Sequence, residues 1–371
     1  MRIAVPGETA SGERRVGLVP DGVAKLVKAG HSVIVQRGAG AAAGVPDAAF
    51  EKAGAALADG FAATVAGADV VAKVQRPTLD EVAALPEGSV LIAMLQPAAQ
   101  RATLEALAAR RITALAMELV PRITRAQSMD VLSSQATVAG YKAVLLGAAE
   151  LAKLLPMLTT AAGTLAPSRV FVLGAGVAGL QAIATARRLG AIVSAFDVRP
   201  AVREQVQSLG AAFIEAEAVS SAAEGAGGYA KELAQEQQQK VLEAVGKVLP
   251  TIDLVVTTAQ IPGKPAPRLI TDAMLATMQP GAVVVDLAAE TGGNCEATRA
   301  GETVVVHGVT VMGPLNLPAT VPLHASQMFG RNVLTLLQHL APGAELKLDL
   351  ADEITGPMAV THAGAVRFGS S

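Results

Sequence analysis

Three glycines and an acidic residue at fixed spacing could bind a dinucleotide. Gly174, Gly176 and Gly179 form a G-x-G-x-x-G pattern, and Asp197 lies 18 residues after the last of them. In this pattern the first glycine permits a tight turn, the second lets the backbone approach a pyrophosphate, and the third lets a helix pack closely on a strand. The carboxylate is suited to accept hydrogen bonds from an adenosine ribose diol. The spacing therefore predicts a site for a dinucleotide such as NAD(H).

The flanking sequence supplies the elements that this site needs. Residues 170–173 are typical of a strand buried on both faces, residues 178–189 predict a helix whose N-terminal dipole faces the phosphates, and residues 192–196 predict the next strand. Asp197 favours NAD over NADP because its charge would repel a 2′-phosphate, although the nearby Arg199 weakens that preference. The alternative interpretation is a glycine-rich turn in an ordinary α/β domain, since the chain contains 36 glycines.

Composition limits the classes of protein to which the chain can belong. Its 371 residues are enough for two domains, and 51% of them are hydrophobic although only 2% are aromatic. The 30 Lys and Arg residues nearly balance the 32 Asp and Glu residues, so no nucleic-acid partner is expected. No uncharged stretch resembles a clean membrane span, and the N-terminus predicts a strand rather than a signal peptide. The single cysteine fits a reducing cytoplasm, and the five scattered histidines predict no metal site.

The first third of the chain alternates between apolar runs and segments of helical spacing, which predicts a parallel sheet with helices on both faces. The expected strands are 2–6, 32–36, 70–74, 90–95 and 113–117, and the expected helices are 22–29, 48–55, 79–84 and 99–109. Three polar residues stand out: Arg15 follows the first strand, Lys73 lies near the carboxyl end of an apolar strand, and Gln96 ends the next strand. Ligands meet parallel sheets at that edge, although Lys73 could instead extend its ammonium group into solvent.

Residues 2–120 resemble the N-terminal domain of the alanine dehydrogenase family. The resemblance implies that Arg15 and Lys73 match an arginine and a lysine that bind the keto acid, and that Gln96 stands where the family carries a catalytic histidine. Because a glutamine cannot shuttle a proton near neutral pH, this difference argues against amino-acid dehydrogenation. We expect the first domain to be a scaffold that has lost its acid–base residue.

A polar loop precedes a long predicted helix in the middle of the chain. Arg122, Gln127 and Asp130 lie in the segment PRITRAQSMD, and the apolar spacing from residue 128 onward predicts a helix that crosses between two domains. One interpretation of Ser128 and Asp130 is an N-cap with an acidic residue in the first turn. That interpretation does not explain Arg122 and Gln127, which lie where a nicotinamide would project.

This loop resembles the Arg–Gln–Asp loop of the NAD(H)-binding component, domain I, of proton-translocating nicotinamide nucleotide transhydrogenase. The resemblance implies catalytic roles for Arg122, Gln127 and Asp130: the glutamine bonds the nicotinamide ribose, and the two charged residues hold the loop beside it. Ser133 matches a serine near that ribose. Hydride transfer between two nicotinamides moves no proton, so a site that orients its cofactor without a general acid suits this chemistry.

A second motif carries the same resemblance. Residues 215–248 form an insertion that contains GGYAKE. It can be interpreted as a solvent-exposed excursion or as a lid, with Gly227 and Gly228 as the hinge and Tyr229 as the closing side chain. GGYAKE resembles the mobile loop of transhydrogenase domain I, which favours the lid.

The rest of the chain predicts strands at 254–259, 283–287 and 304–311, a helix that returns to the first domain, and a terminal strand at 359–366. Gln260, in a proline-rich turn, could contact the adenine side or simply cover it. Glu290 stands where alanine dehydrogenases carry an active-site aspartate, but a loop acid is the simpler interpretation. The predicted cofactor-binding residues are Ser128, Met129, Ser133, Gly174, Gly176, Val177, Ala178, Gly179, Asp197, Val198, Arg199, Gly228, Tyr229, Ala259 and Gln260.

Together these features predict an α/β fold of two doubly wound, Rossmann-like parallel-sheet domains, joined by long helices with a cleft between them. The first domain is expected to be discontinuous, at 1–132 and 322–371, and the second, at 133–321, to bind NAD(H). The resemblance implies a subunit that gives hydride from NADH to NADP⁺ on a partner subunit, coupled to proton translocation.

It also implies a homodimer and separate NADP(H)-binding and membrane-spanning subunits. Those partners would hold the chain on the cytoplasmic face of the inner membrane, without direct membrane insertion. The alternatives are an alanine dehydrogenase-like oxidoreductase, which reduces a keto acid by itself, and a non-catalytic NAD sensor.

Overall fold

The computed structural model describes residues 1–216, 235–261, 264–343 and 345–369. The chain divides into two compact units. Unit 1 comprises residues 1–135 and 318–371, and unit 2 comprises residues 136–317. Within the described residues, no helix combines the length and the apolar character that crossing a bilayer requires.

Strands and helices are numbered in chain order. The strands are β1 (Arg2–Val5), β2 (Ser32–Gln36), β3 (Ala56–Ala58), β4 (Val70–Gln75), β5 (Val90–Met94), β6 (Thr113–Ala116), β7 (Leu158–Thr160), β8 (Gly163–Leu165), β9 (Arg169–Leu173), β10 (Ile192–Phe196), β11 (Ala212–Phe213), β12 (Leu254–Thr257), β13 (Val283–Asp286), β14 (Thr303–Val306), β15 (Val309–Met312), β16 (Ala359–His362) and β17 (Ala365–Val366). The α-helices are α1 (Pro20–Lys28), α2 (Asp47–Lys52), α3 (Gly60–Val65), α4 (Leu79–Ala84), α5 (Arg101–Ala109), α6 (Val131–Glu150), α7 (Val177–Arg188), α8 (Arg203–Ser208), α9 (Gln235–Val248), α10 (Asp272–Leu275), α11 (Pro322–Leu340) and α12 (Thr355–Met358).

The sheet of unit 1 has the order β3-β2-β1-β4-β5-β6-β16-β17. Strands β1 to β6 are parallel, whereas β16 and β17 join the edge in antiparallel pairing. The chain winds outward from β1 in one direction and from β4 in the other, so the strand order reverses between them. A doubly wound sheet binds its ligands at the carboxyl edge of such a switch point.

The strands of unit 1 are apolar because both faces of the sheet are covered. Along β4, Val70, Ala72 and Val74 belong to one hydrophobic cluster, and Val71 belongs to another. Side chains alternate between the faces of a strand, so each cluster lies on its own face. Lys73 is the polar exception in this strand, and it too is fully buried.

Unit 2 contains a sheet with the order β11-β10-β9-β12-β13-β15-β14, parallel except for the edge pair β14 and β15. Along β9, Val170 and Val172 belong to one hydrophobic cluster, and Phe171 and Leu173 belong to another. The switch point of this sheet lies between β9 and β12. The glycine pattern begins directly after β9, at that point.

The two parallel sheets confirm the predicted α/β, Rossmann-like fold class. Three local predictions were wrong. The expected strand 304–311 is a hairpin that turns at His307 and Gly308, with φ of +52° and +78°, and the expected strand 359–366 is a hairpin as well. The long helix begins at Val131, because residues 124–129 form a 3₁₀ helix before it. The β7–β8 hairpin was not predicted.

Candidate functional site

The glycine turn of unit 2 requires glycine at its first position. Gly174 has φ of +98°, and a Cβ there would lie 2.6 Å from Thr258 Oγ1. Its N–H donates to Phe196 O of β10 (2.8 Å), and its carbonyl accepts from Thr258 Oγ1 (3.0 Å). The turn is therefore tied to β10 on one side and to the end of β12 on the other. A side chain at residue 174 would break this arrangement.

The N-terminus of α7 follows the turn. The first hydrogen bond of the helix runs from Leu180 N to Gly176 O (2.8 Å), so the N–H groups of residues 177–179 precede the helical ladder. Among the described residues other than its chain neighbours, the nearest atom to a Cβ placed on Gly176 is Arg199 Nη2 at 4.0 Å. A position that these residues leave open at the positive end of a helix, bordered by a guanidinium group, suits a pyrophosphate.

Two further glycines allow close backbone contacts around this N-terminus. A Cβ on Gly179 would lie 1.8 Å from Gly174 O, so the third glycine of the pattern lets α7 pack on the turn. A Cβ on Gly140, in α6, would lie 2.0 Å from Ala178 O. Gly140 was not predicted as a site residue, because a glycine within a predicted helix does not reveal which backbone it meets. Gly140 lets α6 support the first turn of α7.

The acid at the end of β10 is already engaged. Asp197 is 9% exposed; its Oδ2 accepts from Ala175 N (2.7 Å) and Arg199 Nη2 (2.8 Å), and its Oδ1 accepts from Arg199 N and Nε (both 2.9 Å). These four bonds use the four acceptor positions of a carboxylate. Asp197 therefore holds the glycine turn and Arg199 together. A ribose diol can bond to this carboxylate only when Arg199 gives up a position.

A buried network that was not predicted supports the end of β12. Asn294 accepts from Ala259 N (3.0 Å) and donates to Ala259 O (2.8 Å), which fixes the backbone of this predicted cofactor contact. Asp286 is fully buried at the end of β13. It accepts hydrogen bonds from Thr257 Oγ1, Ala288 N, Asn294 N, Cys295 N and Thr298 Oγ1, at 2.6–3.1 Å. An acid that closes an apolar strand, the signal that identified Asp197, could have identified Asp286.

The other predicted residues of unit 2 differ in their surroundings. Val177 is 39% exposed at the start of α7, and Val198 packs against the core. Gln260 is exposed, with its amide donating weakly to Leu287 O (3.4 Å). Glu290 accepts from Asn316 N (3.2 Å) on the surface. The predicted lid residues Gly227, Gly228 and Tyr229 lie outside the described residues.

The polar loop of unit 1, residues 121–130, alternates anchors with exposed side chains. Ala126 and Met129 are buried in the core of unit 1, whereas Arg122, Gln127 and Ser128 are exposed. The side chain of Met129, a predicted cofactor contact, is thus part of the core. The two anchors hold the backbone while the polar groups between them face solvent.

Asp130 caps α6. Its Oδ1 accepts from Ser133 N (2.9 Å) and its Oδ2 from Ser133 Oγ (2.6 Å). An aspartate that accepts from the N–H three residues later is an N-cap, worth about 0.5–2 kcal/mol. The sequence predicted an N-cap followed by an acidic residue in the first turn, but the cap is Asp130 itself, and Ser128 lies in the preceding 3₁₀ helix. The two predicted site residues Asp130 and Ser133 contact each other directly.

At the switch point of unit 1, buried carboxylates surround the two predicted keto-acid cations. Arg15 Nε and Nη2 donate to Glu13 at 2.8 and 2.7 Å, and both side chains are at most 1% exposed. Burial opposes the ionisation of Glu13, but the bonds and charge of Arg15 outweigh it and hold the pKa at about 2. Lys73 Nζ donates to Glu81 (3.1 Å) and lies 3.9 Å from Glu8.

Glu8 shares Lys73 with Glu81. Its carboxylate accepts from Val74 N (2.6 Å) and Gln75 N (3.2 Å), which closes the crevice between β1 and β4. Burial raises the pKa of Glu8 to about 7, against the opposing charge of Lys73 and these two bonds. The side chain of Glu8 thus occupies the position at which a doubly wound sheet would bind a ligand.

Gln96 has φ of +50° and accepts from Arg76 Nη1 (2.9 Å). Its backbone N–H and that of Leu95 donate to Glu118 Oε1, and burial raises the pKa of Glu118. The amide of Gln96 can orient a neighbour but cannot transfer a proton near neutral pH.

The surroundings of the glycine turn fit NAD(H). A side chain at Gly176 would fill the space that a pyrophosphate needs, and the amides of α7 and the Arg199 guanidinium border that space. Asp197 stands where the adenosine ribose is expected. Among residues 1–216, 235–261, 264–343 and 345–369, no group of three or more His, Cys, Asp or Glu side chains is placed to hold a metal ion.

Comparisons with known proteins match both units. Family models described as "Alanine dehydrogenase/PNT, N-terminal domain" and "Alanine dehydrogenase/PNT, C-terminal domain" match residues 4–139 and 143–369. An NAD(P) transhydrogenase subunit alpha chain of Rhodospirillum rubrum is 51% identical, over 99% of this chain and 97% of that relative. The alanine dehydrogenase of Mycobacterium tuberculosis is 33% identical, over 87% of this chain and 82% of the relative. A crystal structure of transhydrogenase from Sinorhizobium meliloti superposes with a TM-score of 0.90 at 46% identity, covering 99% of this chain and 100% of that one.

Proposed function

The chain belongs to the alanine dehydrogenase/PNT family, and we propose that it is the NAD(H)-binding subunit of a proton-translocating NAD(P) transhydrogenase. In this function unit 2 binds NADH, and hydride passes to NADP⁺ on a partner subunit while a membrane-spanning subunit moves protons. One observation carries the proposal: the transhydrogenase relative is 51% identical over 99% of the chain, against 33% over 87% for alanine dehydrogenase.

The polar residues of unit 1 favour transhydrogenation over keto-acid reduction. That reaction needs cations that can bind a carboxylate and a group that can transfer a proton. Arg15 and Lys73 are instead paired with buried glutamates, and residue 96 is a glutamine. A keto acid would have to displace buried ion pairs at a large cost in free energy.

The chain contributes binding and orientation. NAD(H), when bound, supplies the hydride. The N–H groups of residues 177–179 would hold the pyrophosphate, and Asp197 would hold the adenosine ribose once Arg199 gives up one of its bonds to the carboxylate. Gln127 would hydrogen-bond the nicotinamide ribose, and Asp130 keeps the loop in place by capping α6. Because hydride transfer between nicotinamides moves no proton, orientation is the contribution that the reaction needs.

The exposed β7–β8 hairpin supports the expectation of a homodimer. All six strand residues are exposed, and the chain from residue 154 to 165 leaves four large apolar side chains at least 42% exposed. They are Leu154, Met157, Leu158 and Leu165. An isolated two-stranded hairpin is marginal in water, and large apolar patches usually mark interfaces. The proposed occupant is the same hairpin region of a second copy.

Sedimentation equilibrium tests the dimer. We expect a dimer that Leu158→Asp with Leu165→Asp converts to a monomer, because two charges would enter an apolar interface. Val305→Asp is the control, since Val305 is 69% exposed on β14 and outside the hairpin. A monomeric parent protein, or a dimer that survives the double substitution, excludes this interface.

Reconstitution tests the activity. The purified chain is combined with NADP(H)-binding and membrane-spanning transhydrogenase subunits in vesicles, and NADH-dependent reduction of an NADP⁺ analogue is followed together with the vesicle pH. We expect reduction that depends on the chain and on the proton gradient. A chain that binds NADH but supports no reduction is a sensor. NADH oxidation by the chain alone with pyruvate and ammonia would identify an alanine dehydrogenase-like enzyme.

A further inference from the structure

A continuous set of hydrogen bonds in unit 1 joins Arg15 to the polar loop. Arg15 Nη1 donates to Gln135 Oε1 (2.8 Å), and Gln135 Nε2 donates to Ser134 Oγ (3.2 Å). Ser134 Oγ donates to Asn332 Oδ1 (2.7 Å), and Asn332 Nδ2 donates to Ser128 O (2.8 Å). We propose that this relay positions the loop that carries Gln127, and that Asn332 and Gln135 are positioning residues for hydride transfer.

The direction of the relay is determined at both ends. A guanidinium group can only donate, and a backbone carbonyl can only accept. Arg15 therefore turns the oxygen of the Gln135 amide toward itself, which leaves the Gln135 amide nitrogen as a donor to Ser134. Ser134 Oγ lies 2.7 Å from Asn332 Oδ1 and 3.2 Å from Val131 O, so the shorter bond directs its single proton to Asn332, whose amide nitrogen faces Ser128. Each link has one orientation, so the network specifies one geometry of the loop.

The hydrogen bonds of the relay are costly to lose because the side chains that make them are buried. Arg15, Gln135 and Asn332 are 2%, 6% and 7% exposed, so water does not replace a lost bond easily. Gln135 also donates to Ala325 O (3.2 Å), within α11. A buried polar network is stabilising only when every member is satisfied, and it then favours a single arrangement.

Asn332 acts on both sides of the α6 cap. Through Ser128 it holds the 3₁₀ helix before Asp130, and through Ser134 it holds the first turn of α6 after Asp130. Gln127 lies next to Ser128, whose carbonyl accepts from Asn332. The anchors Ala126 and Met129 hold the loop against the core, but they do not restrict how its backbone rotates. The amide of Asn332 thus restricts how the backbone at residue 128 can turn.

The relay also gives the buried Arg15 guanidinium a role. By family resemblance this residue belongs to keto-acid binding, yet its guanidinium donates to Glu13 and to Gln135. Since the pKa of Glu13 lies at about 2, the carboxylate stays ionised and keeps Arg15 oriented throughout the neutral range. Arg15 is the first donor of the relay.

Two nearly isosteric substitutions reverse the polarity of single links. In Asn332→Asp an acceptor faces Ser128 O, and in Gln135→Glu an acceptor faces both Ser134 and Ala325 O. Amide hydrogen exchange of peptides spanning residues 122–131 is measured on the full chain, with thermal unfolding as a check on folding. We expect exchange in this segment to rise about tenfold in each variant. Thr361→Val is the control, because it removes buried hydrogen bonds that join β16 to the backbone of residues 112 and 114.

This inference rests on the proposed function, so activity is measured separately in the reconstituted enzyme. We expect kcat to fall about 10- to 100-fold with the KM for NADH nearly unchanged, and the double variant to be no worse than either single one. Unchanged exchange of the loop in folded variants overturns the relay. Faster exchange with unchanged kcat overturns the role of Asn332 and Gln135 in hydride transfer, whatever the outcome for the proposed function. Additive losses in the double variant also overturn a shared relay.

Discussion

Arg199 supplies three of the four hydrogen bonds that the Asp197 carboxylate accepts, and Ala175 of the glycine turn supplies the fourth. The acid that is expected to exclude a 2′-phosphate is thus neutralised by a guanidinium two residues later. The same guanidinium lies 4.0 Å from the Cβ position of Gly176. The choice between NAD and NADP therefore depends on this pair rather than on Asp197 alone.

Removing the guanidinium tests the role of the pair. In Arg199→Met, we expect NADPH to bind at least about tenfold more weakly, since its 2′-phosphate meets an unpaired carboxylate, while NADH affinity changes by less than about threefold. Isothermal titration with both nucleotides measures this. Arg203→Met is the control, because Arg203 pairs with Glu215 on the same segment. Equal losses for both nucleotides would mean that Arg199 contacts the shared pyrophosphate instead.

The glycines of the turn have separable roles. Gly179→Ala places a Cβ 1.8 Å from Gly174 O, so we expect a loss of stability of about 1–3 kcal/mol or more. In Gly176→Ala the new Cβ crowds no described residue and φ is an ordinary −75°, so stability should change by less than about 1 kcal/mol. NADH affinity should nevertheless fall at least about tenfold in Gly176→Ala, because the Cβ takes the place of a phosphate oxygen. Retention of NADH affinity there would remove Gly176 from the site.

Gly140 should be as intolerant of a side chain as Gly179 of the glycine pattern, although it lies in the middle of α6. Gly140→Ala brings a Cβ to 2.0 Å from Ala178 O, and we expect destabilisation together with weaker NADH binding. Gly22→Ala in α1 is the matched control: its nearest neighbour is Leu18 Cδ2 at 3.6 Å, so alanine should be neutral or stabilise by up to about 1 kcal/mol. Thermal unfolding and NADH titration measure both. Equal tolerance of the two alanines contradicts the contact.

Gln127 should matter for turnover more than for binding. In Gln127→Ala we expect transhydrogenation to fall far more than NADH affinity, because a lost orienting bond acts on the reacting geometry. Rates and NADH dissociation constants are compared in the reconstituted enzyme. Gln338→Ala, an exposed glutamine of α11, is the control. Equal losses in rate and affinity would make Gln127 a binding residue only.

Glu8 should make stability depend on pH. Its pKa is raised from 4.5 to about 7 in the folded protein. The contribution of Glu8 to the free energy of unfolding is therefore complete below pH 4.5 and is lost as the pH rises through 7. Relative to Glu8→Gln, the parent protein should lose up to about 3 kcal/mol between pH 5 and pH 8. Urea unfolding across this range measures the difference, with exposed Glu87→Gln as the control. A constant difference between parent and Glu8→Gln would show that Glu8 titrates normally.

Much of the fold could be predicted because its strands are short apolar runs between helices. The strand at 192–196 and the helix at 79–84 have the predicted bounds. The hairpin at β14 and β15 was missed because a turn at His307 and Gly308 interrupts an almost continuous apolar run, and periodicity does not reveal a change of direction. In the candidate site, Asn294 and Gly140 were missed because their partners Ala259 and Ala178 lie far away in the chain, whereas Asp286 ends an apolar strand as Asp197 does and could have been predicted.

The sequence by itself determined the cofactor class and the fold class. The glycine pattern and Asp197 act within one strand–turn–helix–strand unit, where local geometry places residues of known spacing. Only the tertiary structure decided which groups satisfy one another: Arg15 with Gln135, 120 residues apart, and Ser128 with Asn332, 204 residues apart. A hydrogen bond needs atoms within about 3 Å and a fixed donor direction, whereas periodicity specifies only the face on which a residue lies. The proposed roles of Arg15 and Asn332 therefore came from the folded chain.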